Sequence, residues 1–414
     1  MKIDNMKKNL VSLTVVAILG GVACGASAQE GVAPASGGIA WGPVMAYPSV
    51  DLTYKNNDNL FSQPDGPNKK SSDILVITPA ARLEAKTGAN TFGVGLRVED
   101  GTVFNSRPDN YTDYQVGADA AFALSGATGL KIRADYNQGH DDRGAIVGAG
   151  IGPTPSRYLT TGVSGLLSYG TPGAPGRFEL DGGYLAKRYD NNQFLSATTG
   201  TRFEDHDETR YGGTFYWRVM PKTKIVVQAG QTSFDYNNSV FSSVGLKQRD
   251  SVETRFLTGV TWDASYATSG TLKVGYIDKN FKSSQVQDYS SASWDASISW
   301  LPLSYSNVNF FASRKPNEAS YGSSTMDTAT GLGWTHAWNS RMSSILSYNH
   351  VRQDYKGLGF ERRDSTDYAG AKLTYQVQRS LKIGAGYDYT DRSSTAVGSD
   401  YNRNVFSVFL TGAL

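Results

Sequence analysis

Alternation with a period of two residues recurs along most of the chain, and it is cleanest between Asp364 and Leu414. Ala369, Ala371, Leu373, Tyr375 and Val377 alternate with Gly370, Lys372, Thr374 and Gln376. After a turn at 378–380, Leu381, Ile383, Ala385, Tyr387 and Tyr389 alternate with Lys382, Gly384, Gly386, Asp388 and Thr390. A polar loop at 391–400 leads to a last run in which Phe406, Val408, Leu410 and Leu414 share one face. Successive side chains of a strand point to opposite sides, so these runs are strands with one apolar face and one small or charged face. A half-buried sheet of a soluble protein shares that pattern. An ending on an amphipathic strand with an apolar last residue, Leu414, is what a closing barrel strand would give.

The same signal recurs upstream. Strands are expected near 46–54, 73–86, 91–103, 112–125, 129–139, 157–169, 177–189, 207–219, 223–236, 250–262, 270–282, 289–301, 305–315, 328–338, 342–355, 364–377, 380–391 and 401–414. Their connections alternate strictly between short ones, such as 87–90, 126–128, 220–222, 302–304, 339–341 and 378–379, and long polar ones, such as 55–72, 140–156, 190–206, 237–249 and 316–327. A transmembrane up-and-down antiparallel β-barrel of about 18 strands predicts this, with tight turns on the periplasmic side and longer extracellular loops. Mean hydropathy of −0.38 does not oppose that reading, because half of each strand would face a polar lumen. No apolar run reaches the length of a spanning helix.

Residues 1–28 have the form of a secretory signal. Lys2, Lys7 and Lys8 precede an apolar stretch at 10–23, and Ala26-Ser27-Ala28 offers a small-residue cleavage site before Gln29. Cys24 raises a lipoprotein alternative, which Gly21 three residues before it disfavours. That cysteine is the only one, so the mature chain would have no disulfide, thiolate metal site or cysteine nucleophile. Cleavage removes three of the 40 basic and one of the 38 acidic residues, leaving 37 of each sign. A neutral mature chain gives no electrostatic case for nucleic acid as a partner. Residues 29–45, rich in Gly, Ala and Pro, read as a flexible periplasmic N-terminus, and 46–414 as a barrel in the outer membrane of a Gram-negative bacterium, with membrane lipid as its first partner.

Tryptophan marks one rim. Trp217, Trp262, Trp300 and Trp338, four of the seven, stand at or near short connections, and interfacial belts favour rings with one polar edge. Tyr189, Tyr236, Tyr355 and Tyr389 stand beside long loops and are candidates for the opposite belt. By parity, the lumen face carries Arg82, Glu84, Arg97, Glu99, Lys131, Arg133, Asp135, Arg177, Glu179, Asp181, Glu208, Arg210, Lys372, Lys382 and Asp388. Mixed charge in such number is incompatible with a dry core. These groups either brace the wall by cross-strand ion pairs or form a polar track for a hydrophilic solute, acidic ones included. The loops at 140–156 and 190–206 are long enough to fold inward and narrow the passage.

Signs of an enzyme are lacking. His140, His206, His336 and His350 have no metal-ligand spacing, no GxSxG occurs, and Gly144, Gly148 and Gly150 precede no helix that would hold a phosphate. No cofactor is implied. The acidic clusters Asp141-Asp142 and Glu204-Asp205-His206-Asp207-Glu208 are candidates for a divalent cation, but solvated loop tips explain them more simply.

Hairpins repeat with a shared form. Asp207-Glu208-Thr209-Arg210-Tyr211-Gly212-Gly213 matches Asp364-Ser365-Thr366-Asp367-Tyr368-Ala369-Gly370, and Ile383-Gly384-Ala385-Gly386-Tyr387 matches Leu272-Lys273-Val274-Gly275-Tyr276. On these motifs the chain resembles a β-barrel porin family found with exopolysaccharide biosynthesis operons, the EpsL-like outer-membrane proteins. The resemblance implies a non-enzymatic barrel that takes part in moving a hydrated polysaccharide across the outer membrane, with a periplasmic or inner-membrane export machinery as partner. A general or solute-specific porin, and a structural barrel that anchors surface polymer, are the alternatives.

Overall fold

The computed structural model describes residues 37–144, 152–171, 173–195, 200–238, 240–242, 245–247, 249–263, 267–319, 322–357 and 361–414. The expected signal at 1–28 lies outside the described residues. Eighteen long strands form the wall. The first nine are β1 (Val44–Asn57), β2 (Ser72–Thr87), β3 (Asn90–Val103), β4 (Tyr111–Ala123), β5 (Thr128–Asp141), β6 (Ser156–Tyr169), β7 (Gly176–Tyr189), β8 (His206–Met220) and β9 (Thr223–Tyr236). The second nine are β10 (Ser251–Asp263), β11 (Thr268–Phe281), β12 (Tyr289–Leu303), β13 (Ser306–Glu318), β14 (Ser324–Ala337), β15 (Met342–Lys356), β16 (Arg363–Gln378), β17 (Leu381–Ser394) and β18 (Tyr401–Ala413).

Each strand pairs antiparallel with its sequence neighbour, and β1 pairs with β18 from Ser49↔Ala413 to Asn57↔Val405. The sheet is therefore closed, which removes the unpaired edges that a bilayer does not tolerate. A short strand, Ile39–Trp41, folds back on the start of β1, and a two-stranded hairpin, Val240–Ser242 with Gly245–Lys247, lies within the loop after β9. Among the described residues no helix is long and apolar enough to cross a membrane; the strands cross it. The turn between β2 and β3 needs Gly88, whose φ of 59° lies in the left-handed region.

One face of every strand is apolar and exposed. Val50, Leu52, Leu83, Val94, Leu96, Leu180, Phe215, Val274, Leu332, Val408 and Leu410 all project outward from the wall. Leaving each such side chain in water forfeits roughly 1.5–3 kcal/mol, so a band of them marks a lipid-facing surface. Aromatic rings bound the band. Tyr169, Trp217, Trp300, Tyr305 and Trp338 are exposed at the short-turn rim, and Trp262, half-buried, lies over Gly270 on the neighbouring strand. Tyr54, Tyr136, Tyr184, Tyr211, Tyr276 and Tyr348 are exposed toward the long-loop rim.

The inner face is built on glycine and charge. A Cβ on Gly93 would stand 2.3 Å from Arg82 Nη2 and 2.9 Å from Asp119 Oδ1, so this glycine lets an arginine of β2 cross β3 and reach a carboxylate of β4. Arg255 reaches from β10 past β11 to donate to Ser293 Oγ on β12 at 2.9 Å, while Gly275, in register with Ser293, lets the β10 backbone come close, since a Cβ there would run into the Phe256 carbonyl.

Candidate functional site

Four inner-wall strands share one local unit, an arginine with a carboxylate two residues on. Since alternate residues share a face, the two side chains lie side by side along the lumen. Arg82 Nε donates to Glu84 at 2.8 Å, Arg97 Nη2 to Glu99 at 2.6 Å, Arg133 Nη2 to Asp135 at 2.7 Å and Arg177 Nε to Glu179 at 2.8 Å. Arg82 also bonds Asp119 through Nη1 at 2.9 Å and Nη2 at 3.2 Å, and Tyr111 donates to Glu99 at 3.0 Å. These pairs are water-accessible; the Arg133 side chain keeps 55% of its surface. The wall is thus polar and nearly charge-balanced at close range.

The remaining lumen candidates are placed as follows. Lys131 is exposed two residues below Arg133, and Asp181 leans over Gly212 with Oδ1 2.9 Å from where a Cβ would stand. Glu208 is engaged by His206 at 3.2 Å, and Arg210 is exposed opposite Gly183. Lys372 lies over the Phe409 ring at 4.6 Å, Lys382 pairs in register with Thr411, and Asp388 lies beside Gly370, 3.0 Å from its would-be Cβ. On the far side, from β12 to β15, Ser291, Ser293, Ser297, Asn309, Ser347 and Asn349 share the inner face by alternation, so that wall is mainly hydroxyl and amide, with Asp295, Lys315 and Asp327 as its charges.

Three of the four tyrosines expected in the upper belt are elsewhere. Tyr189 and Tyr236 are buried on the inner face, where Tyr189 donates to Asp141 at 2.6 Å and Tyr236 to Glu318 at 2.5 Å. Tyr355 also faces inward, with the Arg362 guanidinium over its ring at 4.6 Å. Their parity explains it: Tyr189 shares the face of Arg177 and Glu179, and Tyr355 the face opposite Leu346 and Tyr348. Tyr389 keeps the parity of Ile383 and Tyr387, on the outer face.

The extracellular mouth is crossed by loops tied to one another. Leu60 of the loop 58–71 packs on the inward Ile74, Val76 and Val103, with Phe61 against that cluster. The Arg143 guanidinium lies 4.4 Å over the Phe61 ring and grips Asp109, through Nε at 2.6 Å and through Nη2, which joins the loops after β1, β3 and β5. Asn191 Nδ2 donates to the Pro155 carbonyl at 2.8 Å, linking the loops after β5 and β7.

A second knot centres on Arg249, only 1% exposed. It donates to the Ala319 carbonyl at 2.5 Å and to the Phe203 carbonyl, pairs with Glu204 at 3.3 Å and covers the Tyr236 ring at 4.1 Å. Burial works against its charge, yet the neighbouring Glu204, Tyr236 and Glu318 raise its pKa above the ordinary arginine value. Sequence reasoning missed this residue, although an arginine beside Asp250 in a loop gave no distinguishing signal.

The acidic clusters are engaged with protein partners. Asp141 bonds Tyr189, Asp142 lies 3.5 Å from His140, Glu204 pairs with Arg249 and Asp207 with Arg188 at 2.6 Å. Among the described residues no group of His, Cys, Asp and Glu is arranged to hold a metal ion.

Comparison with known proteins fits this geometry. The family described as "Putative beta-barrel porin 2" matches residues 34–413. The chain belongs to that family. It is an outer-membrane β-barrel of porin-like fold. A search of curated proteins returns no match. Among solved structures, OpdK of Pseudomonas aeruginosa, solved with vanillate, is 12% identical with a TM-score of 0.48, covering 89% of this chain and 99% of its own. OccAB3 of Acinetobacter baumannii is 12% identical with a TM-score of 0.49, covering 90% and 99%. The siderophore receptor PirA of Pseudomonas aeruginosa is 9% identical with a TM-score of 0.46, covering 89% and 80%. Likeness at this level reaches no further than barrel architecture.

Proposed function

We propose that this porin-family barrel is a solute-selective diffusion channel rather than an enzyme, passing small hydrophilic molecules between a loop-narrowed mouth and the periplasm. The observation that carries the reading is the inner wall: water-accessible, ion-paired along β2 to β7, and hydroxyl- and amide-lined from β12 to β15. Eighteen strands enclose a lumen wider than side chains fill, and a polar lining lets a solute exchange its hydration for wall contacts that are weak enough to leave. The knots at Arg143 and Arg249 reduce the mouth below the width of the wall, which favours small solutes. The test is a planar bilayer containing the purified protein. Discrete potassium chloride conductance steps support the channel, and a silent bilayer at confirmed insertion refutes it.

Export of exopolysaccharide is a second reading, favoured by the hydroxyl and amide groups from β12 to β15, along which a glycan exchanges hydrogen bonds at low cost. It requires the loop knots to open and a periplasmic or inner-membrane export machinery to feed the polymer. In a deletion strain, polymer retained in the periplasm supports it; unchanged extracellular polymer removes it.

A further inference from the structure

The inner-wall arginines of β2, β3, β5 and β7 follow one rule, and Arg210 on β8 breaks it. Arg82, Arg97, Arg133 and Arg177 each have a carboxylate two residues on. Two residues after Arg210 stands Gly212; two before it stands Glu208, whose Oε1 is engaged by His206 Nε2 at 3.2 Å. Arg210 is exposed and has no hydrogen bond or ion pair among the described residues.

Its surroundings leave room above it. Across the wall, Arg210 faces Gly183, Gly183 faces Ser164, and Ser164 faces Arg133. A Cβ on Gly183 would stand 3.0 Å from Arg210 Nε and 3.3 Å from Ser164 Cβ, so the guanidinium lies over the glycine and beside the serine. Asp181, the adjacent carboxylate on β7, turns over Gly212, and no ion pair joins it to Arg210. On the far side of this hollow, Arg133 commits Nε and Nη2 to Asp135, which leaves Nη1 outside that pair, and Lys131 is exposed below it.

We propose that Arg210, with the Ser164 hydroxyl and the outer edge of Arg133, forms an anion subsite in the lumen that takes the carboxylate of a small hydrophilic solute. This rests on the channel reading and names its substrate class. A guanidinium presents two parallel N–H donors that match the two oxygens of a carboxylate, and a hydroxyl beside it adds a third donor. Gly183 permits close approach where any side chain would stand in the way. The four paired arginines cannot do this without giving up their own carboxylates, so among these five selectivity concentrates at Arg210, which has none. Exposure to water keeps the site weak, as passage requires.

The test uses the full-length protein in planar bilayers, with gluconate as the anionic probe and sorbitol as its uncharged counterpart. Gluconate should reduce potassium chloride conductance saturably and sorbitol should not. Arg210→Ala should raise the half-blocking gluconate concentration about fivefold, equivalent to about 1 kcal/mol at 1.4 kcal/mol per tenfold. Arg210→Lys, which keeps charge but loses the fork, should fall between, and Gly183→Val should weaken block with every charge in place. Heat-dependent gel migration establishes that each variant is folded. An unchanged half-blocking concentration in a conducting Arg210→Ala barrel overturns the subsite and leaves the channel standing. If the wild-type barrel is silent, the channel reading fails, and calorimetric titration with gluconate decides the subsite alone: fivefold weaker binding in Arg210→Ala upholds it, and equal heats overturn it.

Discussion

Replacing Arg249 with alanine should open the extracellular mouth while leaving the wall intact. The residue is 1% exposed and holds three loops at once: Phe203 and Glu204 after β7, its own loop after β9, and Ala319 after β13. Its loss leaves the Glu204 carboxylate, at 13% side-chain exposure, without its cation, and two carbonyls without their donor. Breaking a buried ion pair by removing one partner costs about 3–5 kcal/mol, which shifts a docked-to-undocked loop equilibrium by a factor of roughly 150–4,000. That cost falls on the loops, because no wall ladder passes through Arg249. Single-channel conductance should therefore rise, and protease added from outside should cut within 190–205 and 237–250 faster than in the wild type. Arg249→Met keeps bulk over the Tyr236 ring but has no donors, and it should behave like alanine if the bonds matter more than the packing. Wild-type conductance together with a wild-type digestion pattern in Arg249→Ala would refute the knot as the device that narrows the mouth.

Three further outcomes are expected. Gly93→Ala should lower stability by about 1 kcal/mol by displacing Arg82 from Asp119, whereas Gly95→Ala, with nothing within 4 Å of the new Cβ, should be neutral or stabilising by up to about 1 kcal/mol; urea unfolding in lipid vesicles that gives equal shifts for both would contradict the glycine argument. Val408→Arg, on the outer face at 62% exposure, should cost about 2–4 kcal/mol in the same assay, and a cost near zero would remove Val408 from the lipid-facing band. Burial raises the pKa of Asp205 above the ordinary carboxylate value even though it accepts a bond from the Tyr189 N–H, so the docked loop favours the protonated acid; docking should be firmest in acid and weaken as pH rises through the carboxylate range, and Asp205→Asn should flatten that dependence in limited proteolysis.

The closed barrel was legible because each strand carries its own alternation, and eighteen such runs were expected and found. Strand ends were less legible. The first strand was expected at 46–54 but runs over Val44–Asn57, since Lys55, Asn56 and Asn57 continue the ladder to β2 and β18 after the apolar alternation has stopped. A barrel strand keeps its backbone pairing above the bilayer, where nothing selects an apolar face. The tyrosines of the upper rim were assigned by nearness to loops when parity was the better guide, and parity places Tyr189 with Arg177 rather than with Leu180 and Tyr184. The inward fold of the loop 58–71 had a signal in Leu60-Phe61, an apolar pair in a polar segment, but only the structure supplies Ile74, Val76 and Val103 as its partners.

The 45 glycines belong to the same account as the charges. A guanidinium that bonds within its own strand needs only a carboxylate two residues on, a relation visible in sequence. One that reaches across a neighbouring strand also needs a missing side chain at the crossing point, and that requirement is set by register, which sequence alternation leaves open by steps of two. Gly93 lets Arg82 reach Asp119, so this position ties three successive strands into a braced wall. Gly183, in direct register with Arg210, opens space before it, and the residue in register beyond is Ser164, a hydroxyl, whereas Arg82 finds the Asp119 carboxylate beyond Gly93. With no carboxylate at that place, the brace is left incomplete and its guanidinium faces the lumen. Placing an aspartate there, Ser164→Asp, would complete it, so this variant should hold Arg210 to the wall, stabilise the barrel by up to about 1 kcal/mol and abolish gluconate block together. Stabilisation without loss of block would show that Arg210 plays no part in binding the anion.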